Sequence, residues 1–294
     1  MQPLAQSRSR RAPVLRIGIA GTENSHTDHF IRHLNIEQNR QDARVVALAG
    51  GATERNRTLA ERGQIDIIVD APEEFAGEID AAIICHRQGG EHRKHTVPLL
   101  EAGKHVFVDK PTATSVSDVE DMIDAARSGG AVLASWSILR TAPGIEELRS
   151  AAAGLEEPSV VTVVGPADPA DPHAGLFFYG PHIVEPALEI LGNPGLDSDV
   201  SVHAAEHAVT AFVRAGGVQL VLAFIRKNGN GSIPWHATVA ARNGVVAREI
   251  TTSTLDHGTG LDRFVDAARS GTPPMPYEQL IPPVSILADI TAHL

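Results

Sequence analysis

Two short stretches of this sequence carry side chains able to do proton chemistry. In Gly103-Lys104-His105-Val106-Phe107-Val108-Asp109-Lys110-Pro111-Thr112, a strand-like apolar run delivers Asp109 and Lys110 at its carboxyl end, and Pro111 fixes the backbone beyond them. A lysine there can donate to a substrate oxygen and stabilise negative charge as it develops, or it can pair with Asp109. In Phe178-Tyr179-Gly180-Pro181-His182-Ile183-Val184-Glu185, an imidazole and a carboxylate stand three residues apart, so on a helix they share a face. A carboxylate so placed can orient His182 or raise its pKa; capping or packing is the alternative for a histidine near a helix start. Pro181 and Pro186 put that start, or a kink, near His182.

A third stretch, Gly18-Ile19-Ala20-Gly21-Thr22-Glu23-Asn24-Ser25-His26, follows the first apolar run, where a dinucleotide fold places its G-x-G-x-x-G turn. Only the first glycine, Gly21, is present. Glu23 stands where the backbone normally approaches pyrophosphate, and His26 where the helix packs closely. A glutamate facing a pyrophosphate repels it, whereas free helix N–H groups at about Asn24 to Thr27 remain an anion site. The cofactor-loop candidates are therefore Gly21, Thr22, Asn24, Ser25 and His26. After the second strand, Ala49-Gly50-Gly51-Ala52 lacks the carboxylate that binds NAD ribose, and Arg55 can meet a 2'-phosphate and favour NADP or be a solvated helix arginine.

The elements that must position these residues follow a βα rhythm. Strands are predicted at Val14 to Ala20, Arg44 to Ala49, Ile65 to Val69, Ala81 to Cys85, His105 to Val108 and Ala131 to Ser135. Helices are predicted at Ser25 to Leu34, Glu54 to Arg62, Arg93 to Ala102 and Val116 to Ala126, the last with Ser115 as N-cap. This reads as a doubly wound parallel sheet of Rossmann type. After about residue 140 the rhythm changes: helix Pro143 to Ala153, strand Ser159 to Val164, a Pro- and Asp-rich loop Gly165 to His173, and a helix His182 to Leu191. Longer strands follow at Val202 to Arg214, Val218 to Arg226, Trp235 to Ala241 and Val245 to Thr252, with Asn243-Gly244 as a hairpin turn, then helices Leu261 to Arg269 and Pro283 to His293. The expected organisation is a disordered arm (1–12), a Rossmann domain (13–139) and an α+β domain (140–294) with an open, mainly antiparallel sheet for substrate and oligomer contacts.

Composition narrows the partners. The 294 residues carry a net charge of −11, which disfavours nucleic acid and anionic membranes and leaves small molecules. Aromatics at 4% are too few for stacking platforms, and no run of about 18 apolar residues exists. The lone Cys85 excludes intrachain disulfides and fits a cytoplasmic protein. Among the 14 histidines, His26, His29 and His33 fall along one helix side, and His86, His92 and His95 cluster after the fourth strand. Neither set has a recognised ligand motif, so no metal is expected.

The chain resembles the Gfo/Idh/MocA family of NAD(P)-dependent oxidoreductases. The likeness runs from Arg16 onward through Gly21, His29, His92, Leu99 to Val106 and Asp109-Lys110-Pro111, which matches the family's E-K-P with Asp for Glu. The family's D-x-x-x-H-x-x-D motif meets Phe178 to Glu185, with Phe178 for the first Asp and Glu185 for the last. The resemblance implies that Lys110 lies by the nicotinamide and the substrate hydroxyl, that His182 is the catalytic histidine oriented by Glu185, and that Asp109 and Pro111 border an NAD or NADP site. It further implies a hydride exchange with a sugar- or polyol-like alcohol or carbonyl compound, and a dimer or tetramer. The departures at Glu23, after strand two and at Phe178 keep two alternatives open: a cofactor-independent lyase or isomerase on the same fold, its cofactor lost, or a non-catalytic small-molecule binding protein.

Overall fold

A computed structural model describes residues 13–197, 200–251 and 257–294; the predicted arm at 1–12 and Thr252 lie outside these. The first half is a parallel sheet built from β1 (Leu15–Ala20), β2 (Ala43–Ala49), β3 (Ile67–Val69), β4 (Ala81–Ile84), β5 (His105–Val108) and β6 (Leu133–Ser135), in the order β3-β2-β1-β4-β5-β6. The inner strands read as apolar runs, not alternations, because helices cover both faces: β4 is buried at all four positions. The order reverses between β1 and β4, and a doubly wound sheet opens its ligand crevice at that switch point.

The connecting helices are α1 (His26–Ile31), α2 (Thr53–Gly63), α3 (His92–Glu101) and α4 (Val116–Gly129). Ser115 caps α4 as expected, its hydroxyl accepting from Asp118 N at 3.2 Å. The predicted helix from Ser25 to Leu34 is shorter: α1 gives way to a wider π turn over Arg32–Ile36. Asn35 in that turn is the reason, because its buried side chain bonds Val45 on both backbone atoms and the Gly63 carbonyl.

Helix α5 (Pro143–Ala153) leads into a second sheet of β7 (Pro158–Pro166), β8 (Ser201–Ala204), β9 (Ala208–Ala215), β10 (Val218–Ile225), β11 (Trp235–Ala241) and β12 (Gly244–Ile250). Its order is β12-β11-β7-β10-β9-β8, antiparallel except where β7 lies parallel to β10. Between β7 and β8 run α6 (Leu176–Tyr179) and α7 (Pro181–Ile190); α7 is buried at nine of its ten residues and packs over β7 and β10. The single strand expected over Val202 to Arg214 is a hairpin, β8 and β9, closed by Ala205 N donating to Ala208 O at 2.8 Å. Exposed Glu206 and His207 interrupt the apolar pattern at its turn.

The last two helices, α8 (His257–Ser270) and α9 (Ile281–Ala292), return to the first half, against α1 and α4. Much of the histidine excess sits here: His33 Nε2 lies 2.9 Å from Asp262, and His29 stacks on His257 at 4.3 Å between centroids. Among the described residues no group of three or more His, Cys, Asp or Glu is placed to hold a metal. No helix among them is long and apolar enough to cross a membrane.

Candidate active site

Lys110 leaves the end of β5 into the space under α6 and α7, and it is buried. Its ammonium donates to the Phe178 carbonyl at 2.9 Å and lies 4.4 Å from the Phe178 ring centroid and 5.4 Å from that of Tyr179. Aromatic faces and one carbonyl hold a cation while leaving N–H groups for a further acceptor. The alternative pairing with Asp109 is not made: the Asp109 carboxylate turns to His26 Nδ1 at 2.8 Å and Asn24 Nδ2 at 3.1 Å. Burial lowers the Lys110 pKa, against the pull of Asp109 and Asp171.

His182, at the start of α7, is also buried. Its Nδ1 lies 2.6 Å from the Ser137 hydroxyl, and its Nε2 has no hydrogen-bond partner among the described residues. Burial, then the Lys110 charge, pushes its pKa well below the ordinary value, so the ring is neutral near pH 7. The serine hydroxyl can donate to Nδ1 or accept from it, so Nε2 can present either a proton or a lone pair.

The expectation that Glu185 orients His182 is corrected. Its carboxylate accepts from the Ser137 backbone N–H at 2.8 Å and stands 3.7 Å from the Arg140 guanidinium. Glu185 thus reaches the imidazole only through Ser137. Burial pushes its pKa up to about 7, opposed by Arg140.

Sequence reasoning missed the walls beside this pair. A cavity of about 190 Å3 is lined by Pro166, Ala167, Asp168, Asp171, Tyr179 and Lys227. Trp235 stacks near Tyr179 at 6.3 Å and meets His182 edge-on at 5.8 Å, and its buried indole N–H has no acceptor. The Pro- and Asp-rich loop after β7 was the available signal for Asp168 and Asp171; Ser137, Lys227 and Trp235 had none. Phe178, standing for an expected Asp, contributes its carbonyl and its ring face.

The loop after β1 is built differently from the expectation. Gly21 keeps its role: at φ +85° its absent Cβ would lie 2.3 Å from His86 N. Three of the four N–H groups expected to bind an anion are consumed by the loop itself: Asn24 N donates to Gly21 O, His26 N to the Asn24 side chain and Thr27 N to Asn24 O. Arg55 is equally committed. It donates to the Thr22 carbonyl, to Asn24 O at 3.1 Å and to Asp28 at 2.6 Å, so it is no free partner for a 2'-phosphate. The Thr22 hydroxyl is spent on Gly50 O and Asn56. Glu23 reaches across the switch point, its Oε1 accepting from Arg87 N, just beyond β4, at 3.0 Å. Pro111 packs on the β4–α3 segment, and its carbonyl faces His92 Nδ1 at 2.7 Å. His92 Nε2 meets His86 O at 2.8 Å, so this buried ring ties the lysine loop to the β4 loop.

A switch-point sheet joined to a second sheet that roofs a lysine and a histidine is a two-domain arrangement of dinucleotide-fold type. Residues 15–136 match the GFO_IDH_MocA model, described as an oxidoreductase family with an NAD-binding Rossmann fold. It is 34% identical over 110 residues to 1,5-anhydro-D-fructose reductase of Ensifer adhaerens, covering 37% of this chain and 33% of that protein. It is 32% identical over 147 residues to inositol 2-dehydrogenase of Paracoccus denitrificans, covering 47% and 41%. The matches therefore span well under half the length of these two relatives. In fold, it superposes on GenD2 from gentamicin A biosynthesis, solved in complex with NAD, with a TM-score of 0.81 at 16% identity, covering 95% of this chain and 93% of that one.

Against that family background, the residues of this crevice do not fit a dinucleotide held in the fold's usual way. A carboxylate lies on the pyrophosphate path, no acid follows β2, and three of the loop's N–H donors are already used.

Proposed function

We propose that this chain is an enzyme acting on an alcohol or carbonyl group of a small sugar- or polyol-like molecule, with Lys110 polarising the substrate oxygen and His182 exchanging the proton. The observation that carries this is the meeting of two buried, pKa-lowered groups, Lys110 and His182, beside a cavity edged by Asp168, Asp171 and Lys227. The named activities of the two relatives, on an anhydrosugar and an inositol, support the substrate class. The substrate oxygen takes a remaining N–H of the ammonium, and negative charge developing there is stabilised by the cation. His182 Nε2 takes or gives the proton while Ser137 fixes the ring. In the matched family a bound nicotinamide nucleotide supplies the hydride acceptor or donor; the crevice of this chain does not fit one held in the usual way.

A second reading is favoured by the Glu23 contact across the switch point: redox-neutral proton transfer, in which the proton that His182 removes returns to the same substrate. The reading as a mere binding protein has no observation behind it. We infer a cytoplasmic enzyme, a reading the buried thiol supports, and a dimer or tetramer, which the half-buried Phe212, Val221 and Ala223 on the outer face of the second sheet support. Light scattering after gel filtration checks the assembly.

The test is conversion of polyols, aldoses and ketoses followed by proton NMR, with and without NADH, NADPH and their oxidised forms. Wild type converts a member of the panel, and Lys110→Ala slows that conversion at least about a hundredfold. Equal rates in the two proteins refute the role of Lys110.

A further inference from the structure

The contact between Glu23 and Arg87 joins the two segments that flank the switch point, one after β1 and one after β4. A dinucleotide on this fold must pass its pyrophosphate between those segments. Here the passage is spanned by a carboxylate side chain, in a protein that already carries a net charge of −11. The surroundings hold Glu23 in place. Gly21 leaves no room beside His86, so the turn cannot retreat. On the adenosine side, Gly51, at φ +73°, lies so close to Thr22 that an added Cβ would meet its hydroxyl oxygen at 2.1 Å. The Arg55 guanidinium is neutralised by Asp28 and two loop carbonyls.

We propose that the switch-point crevice of this chain is closed to both NAD and NADP, and that the Glu23 side chain is the residue that closes it. The assignment is independent of what Lys110 and His182 do. Failure of either is read separately, one by nucleotide binding and the other by substrate turnover.

The experiment titrates the full chain with NADH and NADPH, following nicotinamide fluorescence and isothermal heat. Wild type shows no saturation up to about 1 mM of either nucleotide, and Glu23→Gly, which removes both the span and the charge, gains NADH affinity by roughly a hundredfold. Glu23→Gln keeps an oxygen for Arg87 N and loses only the charge, so it gains less than Glu23→Gly. Saturation of wild type by either nucleotide below about 100 μM overturns the proposal, and that titration stands even if a variant fails to fold. A folded Glu23→Gly, judged by a melting temperature near that of wild type, that stays as blind to NADH as wild type overturns the assignment to Glu23.

Discussion

Glu185→Gln isolates the electrostatics beneath His182. The carboxyl has an unfolded value of 4.5 and a folded value of about 7, raised by burial against the pull of Arg140. A raised carboxyl pKa means the folded state binds the proton more tightly than the unfolded chain. The group therefore costs stability as pH rises from 4.5 to about 7, and the cost is constant above that. Linkage puts it under about 1 kcal/mol at pH 5 and at about 3 kcal/mol at pH 8, a change of roughly 2 to 3 kcal/mol.

Glutamine keeps the acceptor for the Ser137 N–H and does not titrate. Urea unfolding of both proteins at pH 5, 6, 7 and 8 then gives a difference in which all other titrating groups cancel. The variant is expected to gain on wild type by roughly 2 to 3 kcal/mol between pH 5 and 8, most of it by pH 7. A flat difference shows that Glu185 ionises as easily folded as unfolded. A difference of opposite sign shows that the Arg140 contact at 3.7 Å outweighs burial, and either result refutes the reasoning.

Two further changes test the neighbours. Ser137→Ala removes the partner of His182 Nδ1, so kcat is expected to fall about tenfold or more with KM little changed, and the pH profile to shift; Ser137→Thr restores both, whereas unchanged kinetics exclude Ser137 as a positioning residue. At Asp109, burial raises the pKa but the charge and hydrogen bond of His26 outweigh it and hold the carboxyl low, so its contribution is present above the unfolded value of 3.8 and lost only as pH falls through the lower folded one. Asp109→Asn is accordingly expected to cost about 2 to 4 kcal/mol by urea unfolding at pH 7, a penalty that shrinks only in strong acid.

Periodicity made the first sheet legible because buried parallel strands are continuous apolar runs and their crossovers carry caps such as Ser115. Where a polar side chain substituted for backbone, the reading slipped. Asn35 bonds two other segments and widens the end of α1, and no local propensity announces that. The hairpin between β8 and β9 turns on Glu206 and His207, with no glycine or asparagine to mark it. The return of α8 and α9 to the first half is a packing outcome, set by pairs such as His33 with Asp262 that lie 229 residues apart.

At the candidate site, the placement of Lys110 and His182 was legible, because one follows a buried strand and the other opens a helix. Their partners were not, and the reason is physical. Spacing on α7 puts Glu185 on the same face as His182, but a side chain's hydrogen bond goes to the nearest unsatisfied donor, here the Ser137 N–H on a different element. The same rule governs the loop after β1. From sequence, Arg55 and the N–H groups around Asn24 are spare donors for a phosphate; in the fold, loop carbonyls, the Asn24 side chain and Asp28 reach them first. A glycine at position 23 would leave the crevice open. The glutamate that stands there brings its own acceptor to Arg87 N, so one substitution both removes the room for a pyrophosphate and supplies a charge in its place.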